Sequence, residues 1–179
     1  MLFSSLTFIF LFLPVVLAVY YFAPLKIRNL LLLLASLIFY AWGEPVYVVL
    51  MILSILLNYC CGREIAANAE DERKAHRGML FAVAVNLALL LFFKYYGFFL
   101  ELVNSVTSAE LTYRELALPV GISFYTFQGI SYVVDVYRGK AKAQRSLLDF
   151  ALYIALFPQL IAGPIVRYED IEPQLAQRK

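Results

Sequence analysis

Apolar residues run through this chain in long blocks, separated by short polar or turn-forming breaks. Residues 6–22 make the first block, interrupted by Pro14 and ended by Ala23-Pro24. Residues 29–42 follow a short link carrying Lys26 and Arg28, and Gly43-Glu44-Pro45 is a turn signal. Residues 46–61 make the third block. A charged stretch, 63–77, comes next and reads as a short helix on a membrane surface. Residues 79–93 are the fourth block. Lys94 closes it within an aromatic cluster that includes Phe92, Phe93, Tyr95 and Tyr96, the pattern of an interfacial belt with a snorkelling lysine. Residues 101–115 are more polar and are expected at or above the membrane surface. Residues 116–137 and 147–166 are the fifth and sixth blocks. The last is broken by Pro158, Gly163 and Pro164, and a polar tail starts at Arg167.

Crossing a ~30 Å hydrocarbon core perpendicularly takes about 20 helical residues. The shorter blocks must extend into flanking aromatics or sit in thin bilayer. The pattern predicts an all-α, polytopic transmembrane bundle of about six spans, forming one continuous membrane domain over residues 1–179. No Lys or Arg precedes the first block, and no small-x-small cleavage site follows it, so it reads as a retained span rather than a signal peptide.

Composition agrees. Hydrophobic residues make up 63% of the 179 positions and charged residues 16%, against about 25% charge in a soluble domain. A soluble surface could not be built from so few polar residues, whereas lipid is itself an apolar solvent. A net charge of +2 gives no basis for nucleic-acid binding. Basic residues cluster after the first block (Lys26, Arg28), the third (Arg63, Arg73, Lys74, Arg77) and the fifth (Arg138, Lys140, Lys142, Arg145). Because basic loops stay cytoplasmic, odd-numbered spans run inward and the N-terminus is extracytoplasmic.

Candidate chemistry is sparse. His76, the single histidine, sits among Lys74 and Arg77 and reads as a solvated loop residue, so a metal site built from several histidines is impossible and no metal is expected. Cys60 and Cys61 are adjacent and form no disulfide framework; they read as packing residues, with lipidation of a juxtamembrane cysteine the alternative. The fifth block is unusual in carrying Ser123, Thr126, Gln128, Ser131 and Asp135. Such groups face other helices or a wet cavity. Gln128, Ser131 and Asp135 share one stripe at helical spacing. That stripe either ties the bundle together or lines a passage, and Asp135 has Arg138 nearby as a partner. In the sixth block, two prolines and a glycine break the helix, and non-helical backbone at membrane depth must be shielded or line a cavity. Arg167 there is either an anion ligand or an interfacial anchor. The candidate passage residues are therefore Ser123, Tyr125, Gln128, Asp135, Gln159 and Arg167.

The runs LPVGISFYTFQGISYVVDVYRG and FPQLIAGPIVRY resemble the membrane-bound O-acyltransferase family, in its bacterial alginate O-acetyltransferase branch. The opening segment, RNLLLLLASLIFYAWG and FKYYGFF are similar to that branch too, so the resemblance covers essentially the whole chain. It implies acyl transfer from a cytoplasmic thioester, with acetyl-CoA as donor substrate and no bound cofactor. It further implies an exported polysaccharide such as alginate as acceptor, an extracytoplasmic partner of an acetylation complex, and multi-pass residence in the bacterial inner membrane. The family's catalytic histidine lies in a C-terminal half to which nothing here corresponds. The resemblance thus implies an N-terminal portion lacking its catalytic part, with no catalytic residue to assign and no activity when isolated. The competing class is a non-catalytic membrane scaffold or transporter-like protein. The basic-loop pattern predicts that a topology reporter fused after Gly139 is cytoplasmic; an extracytoplasmic signal there overturns the orientation.

Overall fold

The computed structural model describes residues 5–107, 118–162, 168, 170 and 171. These residues fold as an all-α bundle, and three helices are long and apolar enough to cross a membrane: Leu25–Gly43, Tyr47–Ala67 and Glu72–Phe98. Phe8–Phe22 is a shorter apolar helix. Its first part, Phe8–Phe12, is a π-helical turn, and α1 proper is Leu13–Phe22. Pro14 accounts for the wide turn, because its ring crowds the carbonyl one turn back and brings no N–H. The Leu13 amide reaches back to the carbonyl of Phe8 instead. Ala23 is extended, as the residue before a proline prefers. A single 3-10 turn, Leu25–Ile27, leads into α2, Arg28–Gly43.

Helix α3, Tyr47–Ala67, and helix α4, Glu72–Thr107, are joined by a tight turn. The charged stretch at 63–77 is therefore not a separate surface helix. Its residues finish one long helix and begin the next. Asn68 caps α3 by donating its side-chain amide to the Glu64 carbonyl at 2.9 Å. Asp71 starts α4: one carboxylate oxygen accepts the Lys74 amide at 3.2 Å and the other meets Lys74 Nζ at 3.1 Å. Lys74 thereby holds the Asp71 carboxyl below its ordinary range. This cap is present above that range and is lost as pH falls through the lowered value.

Helix α4 also runs further than the fourth block suggested. It continues through Lys94, and its helical backbone reaches Thr107. From Glu72 to Lys94 it climbs about 33 Å at ~1.5 Å per residue, about one bilayer core. Lys94 and its aromatic neighbours thus lie where an interfacial belt should, with Lys94 Nζ 5.7 Å from the Tyr95 ring centre. Helix α5 is Ile122–Tyr137, α6 is Leu147–Ala155 and α7 is Phe157–Ala162. At 16 residues α5 spans about 24 Å, and the sixth block is two short helices. Of the six expected spans, these last are too short over the described residues to cross a bilayer alone. The break in the sixth block falls at Leu156, where the backbone turns extended. Pro158 cannot continue α6 but is tolerated in the first turn of α7. Gly163 and Pro164 lie outside the described residues.

The core is built on α3, α4 and α5. Helix α3 is apolar almost all round, so its hydrophobic pattern does not say which face turns inward. Its polar residues do: Ser54 and Asn58 are buried in one stripe with Met51, Ile55, Cys61, Gly62 and Ile65. Asn58 and the buried Asn86 of α4 form a reciprocal amide pair, Nδ2 to Oδ1 at 3.1 Å and 2.8 Å. Each also donates one turn back on its own helix, to the Ser54 and Ala82 carbonyls at 2.9 Å and 2.8 Å. Helix α5 lies directly against this pair. A Cβ on Gly129 would come within 2.5 Å of Asn58 Nδ2, and one on Gly62 within 2.5 Å of the Tyr132 ring. Two glycines, one on each helix, therefore set how closely α3 and α5 approach.

Helix α6 is enclosed: Phe150 through Ala155 are all buried. Ser146 caps it by accepting the Asp149 amide at 3.3 Å, and Asn29 of α2 donates to Asp149 at 2.7 Å. Phe8, Phe12, Phe39 and Phe157 pack with centroids 5.3–6.0 Å apart and fasten the start of α1 to α2 and α7. Replacing Asn58 by Leu strands Asn86 without its partner and is expected to cost about 1–2 kcal/mol. The double change N58L/N86L should recover part of that loss. Thermal unfolding in detergent of the two single variants and the double variant measures the coupling. Additive losses would show that the pair is not coupled.

Candidate functional site

The polar residues of α5 are brought into the bundle at two levels. At the C-terminal level, Ser131 donates weakly to Asp135 at 3.4 Å, and both are half-buried. Asp135 makes no ion pair with Arg138; the ion pair between described residues is that of Lys74 with Asp71. The Asp135 backbone carbonyl instead accepts the amides of Lys140 and Ala141 at 2.9 Å and 3.3 Å and closes the end of the helix. Arg138 is exposed, and Gly139 takes a positive φ of 70° in the turn that follows. Tyr132, one turn before Val136, accepts the Gln144 amide at 3.1 Å and packs on Phe150 at 4.5 Å between ring centres.

At the N-terminal level, the chain enters α5 through Gly121, whose φ is 77°. Only glycine takes this conformation freely. Gly121 offers no side chain to cap the helix. It is also where α7 touches α5: a Cβ there would sit 2.9 Å from Leu160 Cδ2 and 3.1 Å from the Leu160 carbonyl. Tyr40, at the end of α2, donates to the Val120 carbonyl at 2.9 Å and fixes the same corner. Tyr125, in the first turn, is 2% exposed, and its hydroxyl has no hydrogen-bond partner among the described residues. Gln159, beside Leu160, is 9% exposed and its amide nitrogen is likewise unpartnered. Burying such a group unpaired costs about 1–3 kcal/mol.

Of the six passage candidates, Tyr125 and the half-buried Ser123 stand in the first turn of α5, and Gln159 stands in α7. Gln128 is buried further along α5, and Asp135 lies two turns beyond it. Arg167 lies outside the described residues. His76 is exposed, as expected, but stands in the opening turns of α4 with Nδ1 3.3 Å from the Tyr137 hydroxyl. Cys61 is buried packing and Cys60 is exposed. No group of three potential metal ligands occurs among the described residues. The cavity of about 520 Å³ between α1 and α2 is lined by apolar side chains such as Leu11, Val15, Leu34 and Trp42, and by none of the candidate residues. Sequence reasoning passed over Asn58, Asn86, Tyr40 and Gly62. The two asparagines were the available signal, each an amide in an otherwise apolar run.

Known proteins similar to this chain point in one direction. It is 43% identical to a probable alginate O-acetylase AlgI of Pseudomonas putida over 182 aligned residues, covering 99% of this chain and 38% of that protein. The corresponding protein of Pseudomonas syringae pv. tomato is 44% identical, over 99% of this chain and 35% of its own length. A peptidoglycan O-acetyltransferase of Helicobacter pylori is 33% identical, over 99% of this chain and 39% of its own length. The chain thus spans well under half the length of these curated relatives, and the resemblance to the alginate O-acetyltransferase branch holds along all but 1% of it. No family model matches the chain, and no solved structure matches it.

The geometry of the α5 entry predicts the effect of Gly121→Ala. The new methyl group is strained at this φ and collides with Leu160, so unfolding in detergent should be easier by about 1–3 kcal/mol. Gly139→Ala has the same strain with nothing within 4 Å and should cost less. Equal losses at the two positions would mean that the contact with α7 contributes nothing.

Proposed function

We propose that this chain serves in O-acetylation of an exported polysaccharide, as part of an acetyltransferase held in the bacterial inner membrane. The observation that carries this is the 43% identity to an alginate O-acetylase along 99% of the chain. An alginate-like polysaccharide is favoured as acceptor over peptidoglycan by the identities, 42–44% against 33%. The donor in this reading is acetyl-CoA on the cytoplasmic side, and the acetyl group passes outward to an extracytoplasmic partner. The spans run in and out several times, with the N-terminus outside.

Acyl transfer from a thioester to a hydroxyl needs a base placed to take the hydroxyl proton. His76, the single histidine, is exposed beside Tyr137 at the polar end of α4 and lacks an enclosing pocket. The part played by this chain is accordingly structural and substrate-guiding, with the proton-transferring group supplied from elsewhere. Disrupting the gene in its own organism should remove O-acetyl esters from the exported polysaccharide, read by proton NMR of the purified polymer. An unchanged acetyl content would refute the function. In the same reading, the purified 179-residue chain transfers no acetyl from acetyl-CoA to oligosaccharides; turnover by that chain alone would refute the division of labour. The scaffold or transporter alternative predicts loss of polymer export rather than loss of its esters.

A further inference from the structure

We propose that the groove between α2, α3 and α6 is a binding site for an anionic phospholipid, with one acyl chain in the groove and the phosphate held by Arg63 and Arg145. The site is independent of acetyl transfer. The groove, of about 450 Å³, is lined by apolar side chains, among them Leu33 and Leu37 of α2, Ile52 and Leu56 of α3, and Leu147 and Ala151 of α6. Ile55 and Ala151 are its buried floor, and Ile52, Leu56 and Leu147 are exposed along its walls.

Two arginines stand at one end of it. On a helix, residues at i, i+4, i+7 and i+11 fall on one stripe. The α3 wall therefore continues from Ile52 and Leu56 to Tyr59 and Arg63. On the α6 wall, Arg145 lies two residues before Leu147. The Tyr59 hydroxyl joins the two walls: it accepts from Arg63 Nη1 at 3.3 Å and donates to the Arg145 carbonyl at 2.7 Å. Both arginines are exposed, and neither makes an ion pair among the described residues. Asp149, in the first turn of α6, is engaged by Asn29. The loop that carries Arg145 is itself fixed, since Tyr132 accepts the Gln144 amide.

The dimensions and the charge select the ligand. From Arg63 to Ile52 the α3 wall descends about 16 Å at ~1.5 Å per residue, about half of a ~30 Å hydrocarbon core. Cations at phosphate level over an apolar groove of one-leaflet depth match a lipid molecule. In the orientation read from the basic loops, that leaflet is the cytoplasmic one. A guanidinium suits a phosphate because its planar fork can donate two parallel hydrogen bonds. Two of them favour a lipid of net negative charge over a zwitterionic one, whose ammonium would bring a third cation to the same place. Basic pockets between membrane helices on the cytoplasmic side hold anionic headgroups in this way.

The test uses the full chain in detergent, titrated with phosphatidylglycerol or with phosphatidylcholine of the same acyl chains. Bound lipid is counted by native mass spectrometry. Phosphatidylglycerol should be retained at least fivefold better. Arg63→Gln/Arg145→Gln should lower it to the phosphatidylcholine level, and Arg63→Lys/Arg145→Lys should restore part of the difference. Arg73→Gln/Arg77→Gln removes the same charge from α4, which contributes no lining residue to the groove, and should change retention less than twofold. Leu147→Trp fills the groove with both arginines in place and should weaken retention about fivefold at an unchanged unfolding temperature. It decides the question by itself if the glutamine pair loses its fold. Equal retention of the two lipids, equal losses in the two glutamine pairs, or full retention in Leu147→Trp would overturn the site. So would displacement of the lipid by equimolar glycerol 3-phosphate, which would make the rim a site for free phosphates. Displacement by an acidic peptide would overturn it too, by making the rim a protein contact.

Discussion

In hydrocarbon, a polar group that finds no partner in the protein finds none at all. The reciprocal amide pair of Asn58 and Asn86 follows from that constraint, and much of the bundle is arranged around it. Each amide satisfies its partner across the helix boundary and its own helix one turn back. The pair therefore fixes both the rotation of α3 and α4 and their relative height. A purely apolar interface would leave both free to slide, because lipid tails are as good a neighbour as leucine. Gly129 then seats α5 directly on Asn58, and Gly62 receives the ring of Tyr132. The position of every polar residue on α5 is inherited from those two contacts.

The same constraint explains how the irregular segments are tolerated. At Pro14 the lost hydrogen bond is absorbed by a π turn. At Leu156, where α6 stops, the Phe157 amide finds the Ser36 hydroxyl at 3.3 Å, and that hydroxyl donates to the Leu32 carbonyl at 2.7 Å. One small polar residue on α2 thus repairs the break between α6 and α7. Tyr125 and Gln159 are exceptions: each buries a polar group that has no partner among the described residues.

The helical blocks were legible in the sequence because period and length suffice to mark an apolar helix. Turns at Pro24 and at 43–45 were legible for the same local reason. The continuity of α3 and α4 up to their short turn was not, since charged residues suit a helix extending into water as well as a surface helix. The inward face of α3 was hidden because nearly every residue around it is apolar, and only the pairing of Asn58 with Asn86 resolves it. For the candidate site, the polar character of α5 was visible, but its division into a paired end at Ser131 and Asp135 and an open end at Tyr125 was not. The approach of α7 to Gly121 was not legible either, being a contact between segments almost forty residues apart. Asp135 illustrates the limit of local reasoning: Arg138 was near in sequence, yet the folded helix end uses the Asp135 carbonyl and leaves the arginine in the open.

Helix α6 is nine residues long and buried over its last six. At about 1.5 Å per residue it would reach less than half-way through a bilayer. Such a segment gains too little from lipid to partition there by itself. It enters only as a guest of helices already in place, with α2 offering Asn29, α3 offering Tyr59 and α5 offering Tyr132. The order of the chain is then also an order of assembly. The long helices emerge first from the ribosome, and they become the solvent in which the short ones fold.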